Sequence, residues 1–450
     1  MAPRRLGLWA LLCAASGCAQ CPDPFAPPGS PVTALHFPTG IALHPNAPLL
    51  FVASSNFDST YSSGAVVAAD LSWLHAYLAL NDTLGDPVAD PWQAAVRVPS
   101  FGGSLLATED GAALLHLTSE DNRLIQLDVA TGLDGPSLSC GGRMTDGLED
   151  CSDNDHVLAT GLTDPYGMAL HREGDHTRVF LGMLRGGQVM AVDFFPLRSG
   201  AARLSIGWSR NLSDTLRGGS LALLPSVDGQ PEYLFATGRD LPGDGSQLGT
   251  LRYFRIADEE NAQVLAINLL EQAGTADTRG VAFRADGQRA YVISKIPASI
   301  IELDVSRRPN GLPGDTVTRV APLGKEPSVV ALFEPTASRD PAAPAPASPL
   351  VLVASFRDNV LFALDLDTLV PVGALRDVGA GPFNIAVDSA RALAYVTCFQ
   401  DDTVAVIGLP RHAGDTRLRV VARLGTPRDT GSTNPQLPGV LPELPILGGG

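Results

Sequence analysis

Gly40-Ile41-Ala42-Leu43-His44, a small residue and then hydrophobic-Ala-hydrophobic, leads through a polar turn into Leu50-Phe51-Val52-Ala53. The first run returns as Gly167-Met168-Ala169-Leu170-His171, Gly280-Val281-Ala282-Phe283-Arg284 and Asn384-Ile385-Ala386-Val387-Asp388, with weaker copies starting at Gly103, Gly219 and Val329. The second returns as Leu114-Leu115-His116-Leu117, Val179-Phe180-Leu181-Gly182, Tyr233-Leu234-Phe235-Ala236, Tyr291-Val292-Ile293-Ser294, Leu352-Val353-Ala354-Ser355 and Tyr395-Val396-Thr397-Cys398, all rich in strand formers. A third run closes on Asp70, Asp128, Asp193, Asp304 and Asp365, with Arg255 and Gly408 in that place in the other two units. A fourth apolar run, such as Val317 to Gly324 or Leu418 to Gly425, precedes the next copy. Seven units spaced 49 to 64 residues apart must stack on one another to bury their apolar faces. Four strands in each of seven units predict an all-β fold, a seven-bladed β-propeller with four-stranded antiparallel blades.

Tyr395-Val396-Thr397-Cys398 differs only at its last position from the signature of the bacterial Tyr-Val-Thr-Asn (YVTN) repeat propellers, and Tyr291-Val292 keeps the first half of it. Residues 35 to 425 resemble that family, which implies the propeller fold and little about activity, since propellers host lactonases, quinoprotein dehydrogenases and binding scaffolds alike.

Arg4 and Arg5, the apolar run Leu6 to Ala15 and the small residues that follow read as an export signal over residues 1–17. Ten apolar residues are too few to span a bilayer. Ala15-Ser16-Gly17-Cys18 resembles a bacterial lipobox, which makes Cys18 the expected lipidation site and the mature first residue. Ala15 stands where that pattern prefers leucine, so ordinary cleavage near Ala19 is the other reading. The expected organisation is then a linker over 18–34, the propeller over 35–425 and a Pro/Gly-rich tail over 426–450. An exported lipoprotein of the outer membrane follows, on its periplasmic or surface face, or else a periplasmic or secreted protein.

The formal charge is −16, with no dense basic run, which argues against nucleic acid as a partner and leaves the lipid anchor as the expected membrane contact. Lysine occurs only at Lys295 and Lys325. Cys140 and Cys151 bracket a polar segment and are expected to form a disulfide in an oxidising compartment, stabilising by about 2–3 kcal/mol through loop closure. Cys398 reads as a buried small hydrophobe. No cofactor is required by any motif. The one metal candidate is Ca²⁺, at the carboxylates Asp150, Asp153 and Asp155, which lack the spacing of an EF-hand.

No H-E-x-x-H, G-x-S-x-G or phosphate-cradling glycine loop is present. Repeat position alone nominates His44, His171, Arg279, Arg284 and Asp388 as candidate channel residues, with Glu109, Pro225 and Glu334 at matching places in other units. Gly102-Gly103 and Gly218-Gly219 suggest tight strand starts near the axis. Leu71 to Leu80 reads as a short helix that covers its own blade or docks a partner. Ring closure is open: Val32-Thr33-Ala34-Leu35 is placed to complete the last blade beside Leu418 to Leu424. The expected function is an exported, lipid-anchored scaffold of the cell envelope whose loops bind a protein, glycan or small ligand. The alternative is a propeller hydrolase or lactonase with its site at the central channel, which needs a base and an electrophile converging there.

Overall fold

The second strand of each unit is apolar at nearly every position because both of its faces are covered. In Leu49–Ser54, Leu50 and Val52 pack into a cluster shared with Tyr395 and Val406, while Phe51 and Ala53 turn the other way, onto Leu105 and Leu114. A computed structural model describes residues 34–428 apart from 133–134, 174–175, 196–202, 226–232, 242–245, 336–343 and 416. The expected leader, Cys18 and Val32-Thr33 lie outside the described residues, as does the tail beyond residue 428.

Seven sheets follow one another along the chain, each with an antiparallel meander at its centre. Blade 1 is Pro38–Leu43, Leu49–Ser54, Gly64–Asp70 and Ala94–Val98, and blade 7 is Pro382–Asp388, Leu393–Cys398, Thr403–Gly408 and Arg419–Leu424. The first strands of blades 2 to 6 are Gly102–Ala107, Pro165–Glu173, Leu221–Leu224, Asp277–Phe283 and Pro327–Phe333. Each boundary between neighbouring blades holds its own cluster of buried apolar side chains, including one between blades 7 and 1. The ring is therefore closed, and the fold is a seven-bladed β-propeller.

The connection between the third and fourth strands reaches back onto the preceding blade all round the ring. In blade 2 it carries the hairpin Arg143–Thr145 and Leu148–Asp150, which adds in parallel to the outer strand of blade 1. In blade 3, Arg203 meets Asp128 at 2.8 Å, and in blade 4, Glu259 meets Arg178 at 3.1 Å. Gly311 O of blade 5 accepts from Tyr233 Oη at 3.3 Å, and Leu366 O of blade 6 accepts from Tyr291 Oη at 2.9 Å. In blade 7, Ala413 donates to Ala345 O of blade 6 at 2.9 Å.

Blade 1 closes the ring by the same device. Leu84 N donates to Val421 O at 2.7 Å and Val88 N to Arg423 O at 2.9 Å, so the stretch after the helix Ser72–Leu80 runs along the outer edge of blade 7. Every strand of blade 7 comes from Pro382 onward, and Leu35 packs in the blade 7/blade 1 cluster rather than pairing with Arg419–Leu424. The helix buries Leu74 and Leu78 in that same cluster. It thus covers two blades, and leaves Trp73, Tyr77 and Leu80 exposed.

The tyrosine of the repeat signature has a physical role here. Tyr291 and Tyr395 occupy the same register, opposite Ala282 and Ala386 of their first strands, and each phenol reaches the connection of the next blade. Tyr395 Oη lies 2.9 Å from His75 Nε2 on the blade 1 helix. Burial and the neighbouring charge of Arg391 hold His75 below the usual histidine range, which keeps it neutral and able to accept that bond. Tyr395→Phe leaves the ring packing intact and the imidazole unpaired, so it is expected to cost about 1–2 kcal/mol, read as a lower denaturant midpoint at unchanged slope.

Candidate functional site

The first strands all run in one direction, so the propeller has a strand-start end and a turn end. His44, His171, Arg284 and Asp388 lie at the turn end, where first strands hand over to second strands. There His44, Arg284 and Asp388 have local partners. His44 Nδ1 accepts from Asn46 N at 3.0 Å and its ring packs on Gly111 of blade 2, with burial holding its pKa down. Arg284 pairs with Asp367 at 2.7 Å, and Asp388 with Arg391 at 2.9 Å. Arg279 is five residues upstream of Arg284 along the same strand, roughly 16 Å away at strand rise, at the opposite end. The five candidates therefore do not form one site.

Arg279 belongs to a mouth at the strand-start end, built from residues just before each first strand and just after each second strand. Phe37, Phe101, Asp164 and Glu326 occupy the same left-handed backbone position, each with φ of +54°, and the chain then enters an irregular pair before regular register begins. Hydroxyl groups tie the blades together at this level. Thr39 Oγ1 donates to Gly102 O at 2.7 Å, Ser104 Oγ to Tyr166 O at 2.8 Å, Thr237 Oγ1 to Arg279 O at 3.0 Å, and Thr397 Oγ1 to Thr39 O across the closure.

One half of the mouth is aromatic. Phe399 is the hub, with ring centroids of Phe37, Phe57, Phe356 and Phe383 within 4.8 to 5.9 Å, and Phe101 extends the arc from Phe57 at 5.7 Å. Phe37 and Phe399 are buried, whereas Phe57, Phe101, Phe356 and Phe383 are half-buried. Arg428 seals the arc at the closure, with its guanidinium 4.1 Å above the Phe37 ring and two bonds to Asp402 at 2.8 and 2.9 Å. His36 lies beside it, bonded to Asp58 at 2.8 Å.

The other half is charged. Asp277, 2% exposed at its side chain, holds Arg279 at 2.9 Å and Arg239 more loosely at 3.9 Å, while both arginines keep about a third of their side chains exposed. Between them and blade 3 lies Gly218-Gly219, the start of blade 4. A Cβ on Gly218 would sit 2.5 Å from Gly238 Cα, and its φ is +143°, so no side chain fits there. Tyr166, at the start of the blade 3 first strand, is 39% exposed, and its backbone carbonyl accepts from Ser104 Oγ of blade 2. Both lysines of the chain lie in the same half, Lys295 with Arg357 reaching Glu326, and Lys325 beside it. Arg185 pairs with Asp164 at 2.9 Å.

The acidic loop offers no cage for Ca²⁺. Asp150 lies in the hairpin strand and accepts from Ser152 N, Glu149 accepts from Cys140 N at 2.7 Å, and Asp153 and Asp155 are exposed. No group of three or more His, Cys, Asp or Glu among the described residues is arranged to hold a metal ion. Cys140 and Cys151 are joined as a disulfide with Cα atoms 5.8 Å apart, at the root of the hairpin that grips blade 1. Cys398 is buried, its thiol pushed up to about 12 chiefly by desolvation, which makes it unreactive. No helix among the described residues is long and apolar enough to cross a membrane.

Among the features not read from the sequence is the aromatic arc, assembled from blades 1, 2, 6 and 7. A signal was present: Phe57, Phe356 and Phe399 each follow closely on the end of a second strand. The exposed mouth residues Tyr166 and Arg279 stand immediately before the small residue of the repeated pattern, apart from the positions that define it.

No protein-family profile matches the chain, and no curated protein matches it in sequence. Solved structures do match in shape. The β-propeller domain of Cps50 (Swd1) from Myceliophteria thermophila aligns with TM-score 0.52 and 12% identity over 82% of this chain and 96% of that one. The Dos1 propeller aligns with TM-score 0.53 and 12% identity over 89% and 88%. A putative 6-phosphogluconolactonase from Bacteroides uniformis gives TM-score 0.51 and 15% identity over 84% and 98%. At such identities the likeness establishes the propeller fold alone.

Proposed function

We propose that the protein is an exported, lipid-anchored propeller of the bacterial cell envelope, a scaffold that binds a glycan, protein or small ligand at its strand-start mouth. The observation that carries the binding role is the mouth itself, where half-buried phenylalanines of blades 1, 2, 6 and 7 lie at the same end of the ring as the partly exposed Arg239 and Arg279 beside the buried Asp277. At the turn end, Arg284 and Asp388 are each engaged in a local ion pair. Export and anchoring rest on the Arg4-Arg5 start, the short apolar run and Cys18, and membership of the YVTN-type propellers on the Tyr395-Val396-Thr397 signature. In the native host, the wild-type protein is expected in the membrane fraction and labelled by a clickable palmitate analogue, and Cys18→Ala is expected to be soluble and unlabelled. A wild-type chain that is soluble and unlabelled would remove the anchor.

The rival reading is a lactonase or other hydrolase at the channel. Its support is that Arg279, alone of the five candidates, stands at the mouth beside a buried carboxylate, Asp277. A solved structure similar in shape, the periplasmic gluconolactonase of Pseudomonas aeruginosa, matches with TM-score 0.50 at 15% identity. Hydrolysis of glucono-δ-lactone above the spontaneous rate, lost in Asp277→Asn, is the result this reading requires.

A further inference from the structure

We propose that the phenylalanine arc at the strand-start mouth is a docking surface for the chain's own C-terminal segment, residues 435–447. The inference goes beyond the binding role proposed for the mouth and does not depend on it. It gives any ligand of the arc a built-in competitor.

The arc is a row of rings that their own blades cover only in part. From Phe101 through Phe57 and Phe399 to Phe383 the ring centroids step by 5.7, 5.4 and 5.7 Å, and Phe356 sits 6.3 Å from Phe383. Phe399 is buried and the other four are half-buried. Aromatic-lined surfaces are what proline-rich segments dock on.

The structure fixes where the chain leaves for that segment. Arg428 N donates to Asp401 O at 3.0 Å, and its guanidinium donates to Asp402 at 2.8 and 2.9 Å. The same guanidinium lies 4.1 Å above the Phe37 ring, which is 4.8 Å from Phe399. The last described residue is thus held one ring away from the hub of the arc. Residues 429–434 separate it from Pro435, a tether of up to about 23 Å. A tether of that length keeps its end at an effective concentration on the order of millimolar.

The sequence of the segment suits the surface. Pro435, Pro438, Leu441, Leu444 and Leu447 recur at every third residue. A polyproline II backbone has three residues per turn, so in that conformation all five would share one apolar face. Glu443, the only charged residue in 435–447, would fall on another face. The prolines at 435, 438, 442 and 445 fix four φ angles in the free chain, which lowers the entropy lost on docking.

The test uses the full-length protein with p-benzoylphenylalanine in place of Ile446, which leaves the Pro/Leu row intact. Irradiation is expected to give a cross-link within one chain to peptides that hold Phe356, Phe383 or Phe399. Leu441→Asp with Leu444→Asp in the same chain is expected to lower its yield about ten-fold and to leave the denaturation midpoint unchanged. A synthetic peptide of residues 435–447 is expected to bind that double variant at least about ten-fold more tightly than the wild type, because the tethered competitor is gone. Adding Phe383→Ala to the double variant is expected to weaken the peptide. Absence of a cross-link, cross-links on the outer strands, or cross-links only between two chains overturn the proposal. So do equal peptide affinities for wild type and double variant, or a peptide indifferent to Phe383→Ala.

Discussion

Gly167→Ala is expected to destabilise the propeller by about 3 kcal/mol or more, while Gly280→Ala, at the matching place in the repeated pattern, is expected to be neutral or to stabilise by up to about 1 kcal/mol. The two glycines open equivalent runs, and only their neighbours differ. A Cβ on Gly167 would lie 2.0 Å from Gly219 O and 2.9 Å from Gly219 C and Ser220 Cα. All three are backbone atoms of blade 4, which cannot yield as a flexible side chain would. Gly182, on the adjoining strand, meets the same carbonyl, with its Cβ position 2.3 Å from Gly219 O. At Gly280 the nearest atoms are side-chain carbons of Ile293 at 3.4 Å and of Val330 at 3.6 Å, an ordinary contact distance. There alanine also narrows the unfolded ensemble. Denaturant midpoints of the two variants measured together test the argument, and equal effects would mean that the blade 3/blade 4 approach does not set the requirement.

That contrast bears on how much of the molecule is legible from its residues. Strands and blades can be read because each is decided by neighbours close in sequence: Leu50-Phe51-Val52-Ala53 is apolar on both faces, and the aspartates at 70, 193, 304 and 365 fall at or just inside the ends of third strands, while the strand of Asp128 runs on to Gly132. The ring's closure was open for the opposite reason. It is made by Leu84 and Val88 reaching Val421 and Arg423, more than three hundred residues away, through an insertion with no strand periodicity. Of the candidate channel residues, Arg279 lies at the opposite strand end from the other four. Repeat position establishes that His44, His171, Arg284 and Asp388 are equivalent, but equivalence holds equally at both ends of a strand, and theirs is the end where turns pair with one another. The mouth was missed because Tyr166, Arg279 and Phe383 occupy the one position at each strand start where the repeat tolerates anything.

Acidification from pH 6.5 to 4 is expected to remove about 3 kcal/mol of stability through His116 alone. His116 lies in the second strand of blade 2, fully buried where Gly102 meets Ala53 at the boundary with blade 1. Its Nδ1 lies 3.3 Å from Ser104 O, and its Nε2 is buried without a hydrogen-bond partner, an arrangement that suits the neutral ring with the proton on Nδ1. Charging it would place an imidazolium in an apolar interlayer with one carbonyl to receive it. Burial accordingly lowers the pKa to about 4, and the Ser104 carbonyl offsets only part of the fall. The folded pKa lies below the unfolded value of 6.5, so the unfolded chain takes up the proton first as pH drops. The contribution is whole above pH 6.5, shrinks through the interval, and is gone below about 4. His44, His75 and His156 are also held below their usual range by burial and add to the same slope, so the effect of His116 is isolated by difference. Denaturant stability of the wild type and of His116→Gln is to be measured at pH 7 and pH 4.5. The variant is expected to be less stable at pH 7, from imperfect packing, and to lose markedly less on acidification. Parallel losses in the two proteins would mean that His116 does not titrate between the folded and unfolded states as its burial requires.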